Sequence, residues 1–427
     1  MKRLTITLLI GLFFALWTLV LHAETATTKD GHLVITEQEA ITLFYQRNLS
    51  LIAASFNIEN AQADQIIAGA IPNPVFSLTI SSLNSKMFNQ DNRNAPLPAV
   101  SPQIQQLIET AGKRRLRIES SELAIEAVNF DLKDTVRLLT NAVRHSYYNL
   151  LLAQKTAKVA SDNFERYREI IKANSMRLKA GDIAENDFTR IEVESLKAQG
   201  DQNQAQMALT QARADLLLLL GWPENSLEIS AIEPWADASP AVAHAGQDQL
   251  SKQALEKRPD LQAARIRIEQ AKKMLILANR LAIPDVTVGA FYQRDPGNYF
   301  TDSGGISVSV PLPLFYRQEG EISKAHVGVD SAELTLQQAE QSVKTDVMKA
   351  LVAWQSADAI AKRFESAALE RIERLRLAQE FAYSKGAIGL LDLIDAERSY
   401  KAMMLDYYTA LANRSNAWAD LLMAYGE

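Results

Sequence analysis

The stretch ARADLLLLLG at residues 212–221 returns as AWADLLMAYG at residues 417–426. A second pair of segments, 51–74 and 261–284, repeats in the same order. The two copies start 205 residues apart in the first pair (417 − 212) and 210 residues apart in the second (261 − 51). Such a period is far longer than the roughly 20 to 50 residues of a solenoid unit. The sequence therefore predicts a duplicated half-protein with internal pseudo-symmetry.

The boundary between the two copies lies in residues 222–249. This segment holds three prolines and breaks the helical periodicity, so it is interpreted as a linker that lies against the helices. The first repeat then covers 24–221 and the second covers 250–427. The chain of 427 residues also exceeds the roughly 100 to 200 residues usual for one domain.

Residues 1–23 have the order of a secretory signal. Lys2 and Arg3 precede an apolar run from 4 to 21, and Ala23 follows it. The alternative is a permanent membrane anchor, because roughly 18 apolar residues nearly span a bilayer. Cleavage after Ala23 is favoured, since a small residue ends the run.

Charge and cysteine content exclude several function classes. The chain has 45 basic and 51 acidic residues, a net charge of −6, so nucleic acid is a poor partner. It has no cysteine, which excludes disulfides, thiolate metal sites and thiol nucleophiles. No phosphate-binding glycine loop, nucleophile elbow or His-Glu-x-x-His motif occurs, so we expect neither an enzyme nor a cofactor.

Two very long helices are predicted, at about 113–180 and about 318–385. In both segments apolar residues recur at spacings of three and four, which places them on one helical stripe. Such helices must pack laterally against other long helices. Gly181 and Gly386 are expected to reverse the chain, and DIAE at 182–185 has the spacing of a capping box for the returning helix.

Strands are predicted at about 74–83, 101–111, 284–294 and 304–314, where apolar and polar residues alternate. One interpretation is a small soluble sheet that caps a helical bundle. The other is a membrane-crossing sheet, which must close into a barrel because lipid satisfies no backbone hydrogen bonds. Four strands cannot close, since the smallest bacterial barrels use about eight, so the barrel would be shared among copies of the chain. Two copies or three remain open on this reasoning.

Four stretches, in order and in duplicated halves, carry a family resemblance: GKRRLR at 112–117, RPDL at 258–261, ANRLAIP at 278–284 and PLPLF at 311–315. Together they resemble the TolC family of outer-membrane efflux channels over nearly the whole mature chain. The first and last stretches are most similar to the heavy-metal branch, the CzcC and CusC type.

The resemblance implies a mainly α fold with a small β part, built from duplicated helix, strand, strand, long helix, helix halves. Three copies would form a homotrimer whose twelve strands make an outer-membrane β-barrel, continued by a periplasmic α-helical barrel. It also implies passive conduction of substrate, taken from an inner-membrane pump, commonly of the resistance-nodulation-division class, through a periplasmic adaptor. Heavy-metal cations are the expected cargo, with drug or organic solute efflux, or type I secretion, as alternatives.

Asp392 and Asp395 are three residues apart at a helix start, so both carboxylates lie on one face. Acids in a first helical turn can simply complement the helix dipole. The resemblance implies instead that they line the constricted periplasmic mouth, where rings of acids favour cations. The family often has a basic residue where this chain has Ile388, so no salt-bridge latch is expected there.

Gly181, Asp182, Gly386 and Ala387 form the two hairpin tips. Turn chemistry alone explains the glycines. The resemblance implies that an adaptor docks at these tips, where small residues allow close approach of the backbone.

No metal site is predicted, because the histidines are scattered without the paired spacing of zinc ligands. A rival of another class is a periplasmic coiled-coil adaptor or spacer without a pore. Adaptors normally bracket one hairpin with β-domains, whereas this sequence predicts two hairpins and few strands.

Overall fold

The computed structural model describes residues 32–81, 98–222, 228–237, 245–295 and 301–427. The expected secretory signal at 1–23 lies outside these residues. Within them the chain is mainly helical with a small β part, which confirms the predicted fold class. No helix in the described ranges carries a stretch both long enough and apolar enough to cross a bilayer.

Both halves share the order helix, helix, strand, strand, long helix, helix. The first half contains β1 (His32–Ile35), α1 (Glu37–Arg47), α2 (Leu49–Ala68), β2 (Val75–Ser81), β3 (Ala99–Ile108), α3 (Lys113–Ala180) and α4 (Glu185–Leu219). A short strand, β4 (Glu228–Ala231), follows. The second half contains α5 (Gln247–Lys257), α6 (Pro259–Leu281), β5 (Val286–Asp295), β6 (Thr301–Ser309), α7 (Glu319–Arg363), a π-helix (Phe364–Ala368), α8 (Leu369–Ser384) and α9 (Leu390–Tyr425).

The chain divides into two compact units. Among the described residues, the first unit comprises those within 32–52, 136–254 and 345–427, and the second comprises those within 53–135 and 255–344. Each unit takes segments from both sequence repeats. The repeats are therefore interleaved and do not correspond to separate compact bodies.

A four-stranded antiparallel sheet lies in the second unit, in the order β2-β3-β5-β6. β3 begins two residues before the segment indicated by sequence, and β6 ends at Ser309, earlier than indicated. The early end of β6 has a physical reason, because Pro311 and Pro313 have no amide hydrogen for a strand ladder.

One face of this sheet carries large exposed apolar side chains. Four residues lie in register across the four strands: Phe76, Ile104, Ala290 and Ile306. All except the small Ala290 are large apolar side chains more than half accessible to solvent. Among the described strands, β2 and β6 each have only one neighbour, so both leave an edge of backbone groups open. An exposed apolar face of this kind marks a surface that contacts another molecule or a membrane.

Charge-assisted bonds, partly buried, join the start of α3 to the strands. Lys113 is 3% exposed, and its ammonium lies 2.7 Å from Asp285 Oδ1 and 2.5 Å from the carbonyl oxygen of Ile283. Arg117 donates two parallel hydrogen bonds to Glu109, at 2.5 and 2.8 Å. Such bonds are stronger than neutral ones. The GKRRLR stretch therefore fixes the junction between sheet and long helix.

The first unit contains a small sheet that sequence reasoning missed. β1 and β4 pair in parallel, with Leu33 opposite Ile229. Ile35 and Ile229 are fully buried, together with Phe44 and Tyr147, in the core of this unit. The segment 222–249, interpreted as a linker, thus holds a core strand in its described part, and α5 begins inside it at Gln247.

Glycine ends four helices in the same way. Gly181, Gly221, Gly386 and Gly426 all have positive φ, between 65° and 102°. In each case the amide after the glycine donates to the carbonyl five residues back, at 2.9 to 3.0 Å. This is the Schellman arrangement, in which a left-handed residue satisfies the last helix carbonyls. The repeated stretches at 212–221 and 417–426 are therefore matched helix ends.

One local prediction was wrong, and one long helix contains an irregularity that the sequence did not indicate. The capping box at 182–185 does not form: α4 begins at Glu185, and Ala184 precedes it without a side-chain cap. The second long helix, predicted at about 318–385, is helical from Glu319 to Ser384, and its only interruption is the π-helix, where Arg414 of α9 donates to Glu365 at 3.3 Å. Neither glycine nor proline marks that interruption in the sequence.

Gly221→Ala should lower the free energy of unfolding by more than about 1 kcal/mol. The φ of Gly221 is 65°, and a Cβ atom there would lie 2.4 Å from the carbonyl oxygen of Arg47. The matched control is Gly200→Ala in α4, where a Cβ atom meets nothing within 4 Å. That control should raise the free energy of unfolding by roughly 0.5 to 1 kcal/mol. Denaturant unfolding followed by circular dichroism in detergent measures both, and similar effects of the two variants would contradict this account.

Candidate functional site

The tips of the two helical hairpins present the residues selected from sequence. Gly181 and Asp182 at the first tip are exposed, as are Gly386 and Ala387 at the second. A Cβ atom built on either glycine meets nothing within 4 Å, so space does not demand glycine there. The backbone does, since φ is 80° at Gly181 and 70° at Gly386.

Asp392 and Asp395 lie on one exposed face of the first turns of α9. The Oδ2 atom of Asp392 accepts a hydrogen bond from the amide of Gly389 at 3.1 Å. Asp392 therefore has the structural role of capping the helix start. The carboxylate of Asp395 lies 3.6 Å from Arg398 and is largely exposed, and such a pair contributes little to stability.

The opposite face of α9 packs into the first unit. Leu393 and Ile394 are buried, and Ile394 joins a small apolar cluster with Tyr167 of α3 and with Ile191 and Ala198 of α4. This packing places the two aspartates away from the hairpin interior.

A hydrogen bond also ties α8 to α3 near the tips. The hydroxyl of Tyr383 donates to Asn174 Oδ1 at 2.5 Å, and Asn174 is buried. The guanidinium of Arg177 lies 5.3 Å from the centre of the Tyr383 ring. The second hairpin is thus held against the first by polar as well as apolar contacts.

Sequence reasoning missed a buried group of charges beside this packing. Glu397 of α9 is 3% exposed and Arg376 of α8 is 4% exposed. Glu397 Oε1 lies 3.7 Å from Arg376 and 3.9 Å from Arg166 of α3. Both guanidinium groups also lie over the Tyr400 ring, at 5.0 and 5.7 Å from its centre.

Burial controls the ionisation of Glu397. Loss of hydration raises the pKa of this carboxyl above its usual range, although Arg166 and Arg376 both act to lower it. Arg376 itself is well satisfied, since it donates to Glu373 at 2.8 Å and to Glu380 at 3.1 Å. The sequence signal was available in part, because Glu397 follows the buried Ile394 by three residues and so shares its helical face.

Within the described residues, no three His, Cys, Asp or Glu side chains are arranged so that they could hold a metal ion. His145 lies beside a single carboxylate, with its Nε2 atom 2.8 Å from Asp420 Oδ1. Burial alone would raise the pKa of Asp420, but hydrogen bonds from His145 and Asn141 hold it below its usual value. This contact joins α3 to α9 and needs no metal.

A family model described as outer membrane efflux protein matches residues 40–222 and 250–427, most of the chain. The chain belongs to the outer membrane efflux protein family. Members of this family are passive outer-membrane channels rather than enzymes, and this outer-membrane assignment excludes the alternative of a periplasmic spacer without a pore. The family boundaries leave a gap at 223–249, between the two repeats.

Two relatives match most of the length of this efflux protein. It is 24% identical to the cobalt-zinc-cadmium resistance protein CzcC of Cupriavidus metallidurans, over 90% of this chain and 88% of that protein. It is 25% identical to the pyoverdine export outer membrane protein OpmQ of Pseudomonas putida, over 82% of this chain and 77% of that protein. The crystal structure of the CmeC outer membrane channel of Campylobacter jejuni has the same fold, with a TM-score of 0.75, 16% identity, and coverage of 91% and 85% of the two chains.

Asp392→Ala should speed amide hydrogen exchange a few fold in residues 389–392. It removes the acceptor for the Gly389 amide, and such a cap contributes about 0.5 to 1 kcal/mol. Asp395→Ala is the control, since Asp395 has an exposed ion pair and no capping bond. Hydrogen exchange with mass spectrometry measures both, and equal acceleration in the two variants would argue against a capping role for Asp392.

Proposed function

We propose that this efflux protein is the outer-membrane channel subunit of a tripartite efflux system and conducts substrate passively to the exterior. The observation that carries the proposal is the four-stranded sheet, with its exposed apolar face and its two open edges, in a chain of the efflux family. Contact of the apolar face with lipid is favourable, but backbone groups left unpaired at the edges of the sheet would cost free energy in lipid. The sheet therefore needs further strands.

Identical copies of the chain supply those strands in this proposal. The free edge of β6 in one copy would pair with the free edge of β2 in the next, so every copy offers both partners. Three copies give twelve strands, above the roughly eight needed for closure, and we propose a homotrimer. The resemblance stated from sequence supports three rather than two copies.

Asp392 and Asp395 form the proposed aperture. Three copies bring six exposed carboxylates around one axis, and such a ring attracts cations and repels anions. The capping bond of Asp392 does not conflict with this role, because a capping carboxylate keeps part of its charge exposed to solvent. Helix capping and the pore role therefore both apply to Asp392, whereas the pore role alone applies to Asp395.

Heavy-metal cations are the proposed cargo. The relative CzcC is named for cobalt, zinc and cadmium resistance and covers 90% of this chain, against 82% for OpmQ, which is named for pyoverdine export. A cation-selective aperture suits metal ions. Export of an organic siderophore-like solute is the second candidate, and OpmQ is the observation that favours it.

The hairpin tips are the proposed docking place for a periplasmic adaptor, which would connect the channel to an inner-membrane pump of the resistance-nodulation-division class. Gly181, Asp182, Gly386 and Ala387 are exposed and carry small side chains or none, except for the aspartate. A partner can therefore approach the backbone closely. The expected secretory signal at 1–23 would deliver the chain to the periplasm.

Replacing both Asp392 and Asp395 by Ala should raise single-channel conductance a few fold in a planar bilayer and lower the preference for cations. Asp395→Ala alone should shift both properties in the same direction without disturbing a helix cap. The matched control replaces Glu185 and Asp187, the acids in the first turn of α4, by Ala. Unchanged conductance in the aspartate variants, or an equal change in the control, would remove the aperture assignment.

A strain that lacks this chain should lose tolerance to zinc, cobalt and cadmium, and the wild-type chain should restore it. Ala387→Trp should restore little, because a bulky side chain at the tip blocks close approach while Gly386 keeps its left-handed turn. Gln199→Trp, at an exposed position inside α4, is the control and should restore growth. Metal tolerance that survives the deletion would contradict the cargo, and full rescue by Ala387→Trp would contradict docking at this tip.

A further inference from the structure

Burial of the Glu397 carboxylate costs free energy at its position in the fold. It is 3% exposed, and its Oε2 atom has no hydrogen-bond partner. Its nearest cations, Arg376 and Arg166, lie at 3.7 and 3.9 Å from Oε1, beyond hydrogen-bond distance. Burying a charge with incomplete hydrogen bonding costs free energy, and an apolar side chain of similar size would often be as stable or more so. Stability alone therefore gives no reason for a carboxylate here.

Apolar packing sets the rotation of α9 only coarsely at this point. The cluster around Ile394 keeps one face of the helix buried, but it does not define the exact angle, because hydrophobic contact is non-directional. One turn further on, a cavity of about 180 Å³ lies between α3 and α9, and its lining includes Glu397, Tyr400 and Met404. Because the cavity leaves this face of α9 incompletely packed, shape alone allows the helix some rotation about its axis.

The charges around Glu397 define the angle of rotation more closely. Arg376 is a fixed point on α8, since Glu373 and Glu380 of the same helix bind its guanidinium at 2.8 and 3.1 Å. Arg166 projects from α3, on the other side. A carboxylate between two arginines of different helices has one favourable placement, and rotation of α9 would move it away from one of them. Buried polar groups are best established in this role of setting register.

We propose that Glu397 is a positioning residue for the aperture: its charge, held between Arg166 and Arg376, sets the rotation of α9 and thereby the direction in which Asp392 and Asp395 face. Asp395 lies two residues before Glu397, on the exposed side of the same helix. A helix is rigid over so short a distance, so a turn of the buried face turns the exposed face equally. This inference rests on the proposed aperture, and the test keeps the two apart.

The test is a double-mutant cycle with Glu397→Gln, Arg166→Gln and the combined variant, each as the full chain in a planar bilayer. Arg166 is the chosen partner because its side chain is 31% exposed and tolerates replacement, whereas Arg376 is buried among its own carboxylates. Each single variant should raise single-channel conductance a few fold, in the same direction as the aspartate variants, because Asp392 and Asp395 would no longer face the aperture together. The combined variant should show the same rise as either single variant, because both remove one shared interaction.

Thermal unfolding separates positioning from general damage. Glu397→Gln should leave the melting temperature equal to or above that of the wild type, since a desolvated charge has been removed. Asp162→Asn is the matched control: it breaks an ion pair within α3, between Lys158 and Asp162 at 3.2 Å, and should leave conductance unchanged.

Wild-type conductance in Glu397→Gln, or effects of the two single variants that simply add, would overturn the positioning role. If Glu397→Gln does not assemble, wild-type conductance in Arg166→Gln would overturn it equally. The aspartate variants report on the aperture itself. If the aspartate variants raise conductance but Glu397→Gln does not, only the present inference is overturned. If the aspartate variants leave conductance unchanged, the aperture and the inference are overturned together.

Discussion

Open backbone edges are the constraint on which the rest of this structure depends. In the described part of the chain, β2 and β6 end the four-stranded sheet with rows of amide and carbonyl groups that have no strand beside them. The same sheet presents Phe76, Ile104 and Ile306 on one exposed face. A sheet that is both apolar and open cannot remain alone in water or in lipid. Association with further copies of the chain answers both problems, and a family of outer-membrane channels is where such a sheet is expected.

Sequence alone predicted the parts of the fold that glycine, proline and helical periodicity define. Gly181 and Gly386 marked the hairpin reversals, and the structure places a left-handed residue at both. The pairing of β1 with β4 was beyond such reasoning, because the two strands have four residues each and lie nearly two hundred residues apart. The π-helix at Phe364–Ala368 was also beyond it, since its contact with Arg414 comes from another helix and leaves no local mark.

The candidate site was likewise predicted from the sequence only in part. The spacing of Asp392 and Asp395 placed both on one face, and both are exposed on one side of α9. The charge group around Glu397 was missed because its partners come from α3 and α8, and because charged residues are expected on solvated faces. The helical periodicity of apolar residues identifies which positions point inward. It does not tell which inward positions hold a charge, since that depends on the residues brought opposite by tertiary packing.

The duplicated helix ends have a consequence for symmetry. The two hairpin tips share one backbone geometry, with Gly181 and Gly386 in equivalent turns, yet their side chains differ: Asp182 follows the first glycine and Ala387 follows the second. In an assembly of three copies these tips become six, alike in backbone and alternating in charge. A partner protein with sixfold arrangement would meet a near-hexagonal rim, but it would meet two chemically distinct kinds of contact in turn. In the proposed assembly, duplication inside one subunit would thus give the rim a pseudo-sixfold shape with threefold specificity.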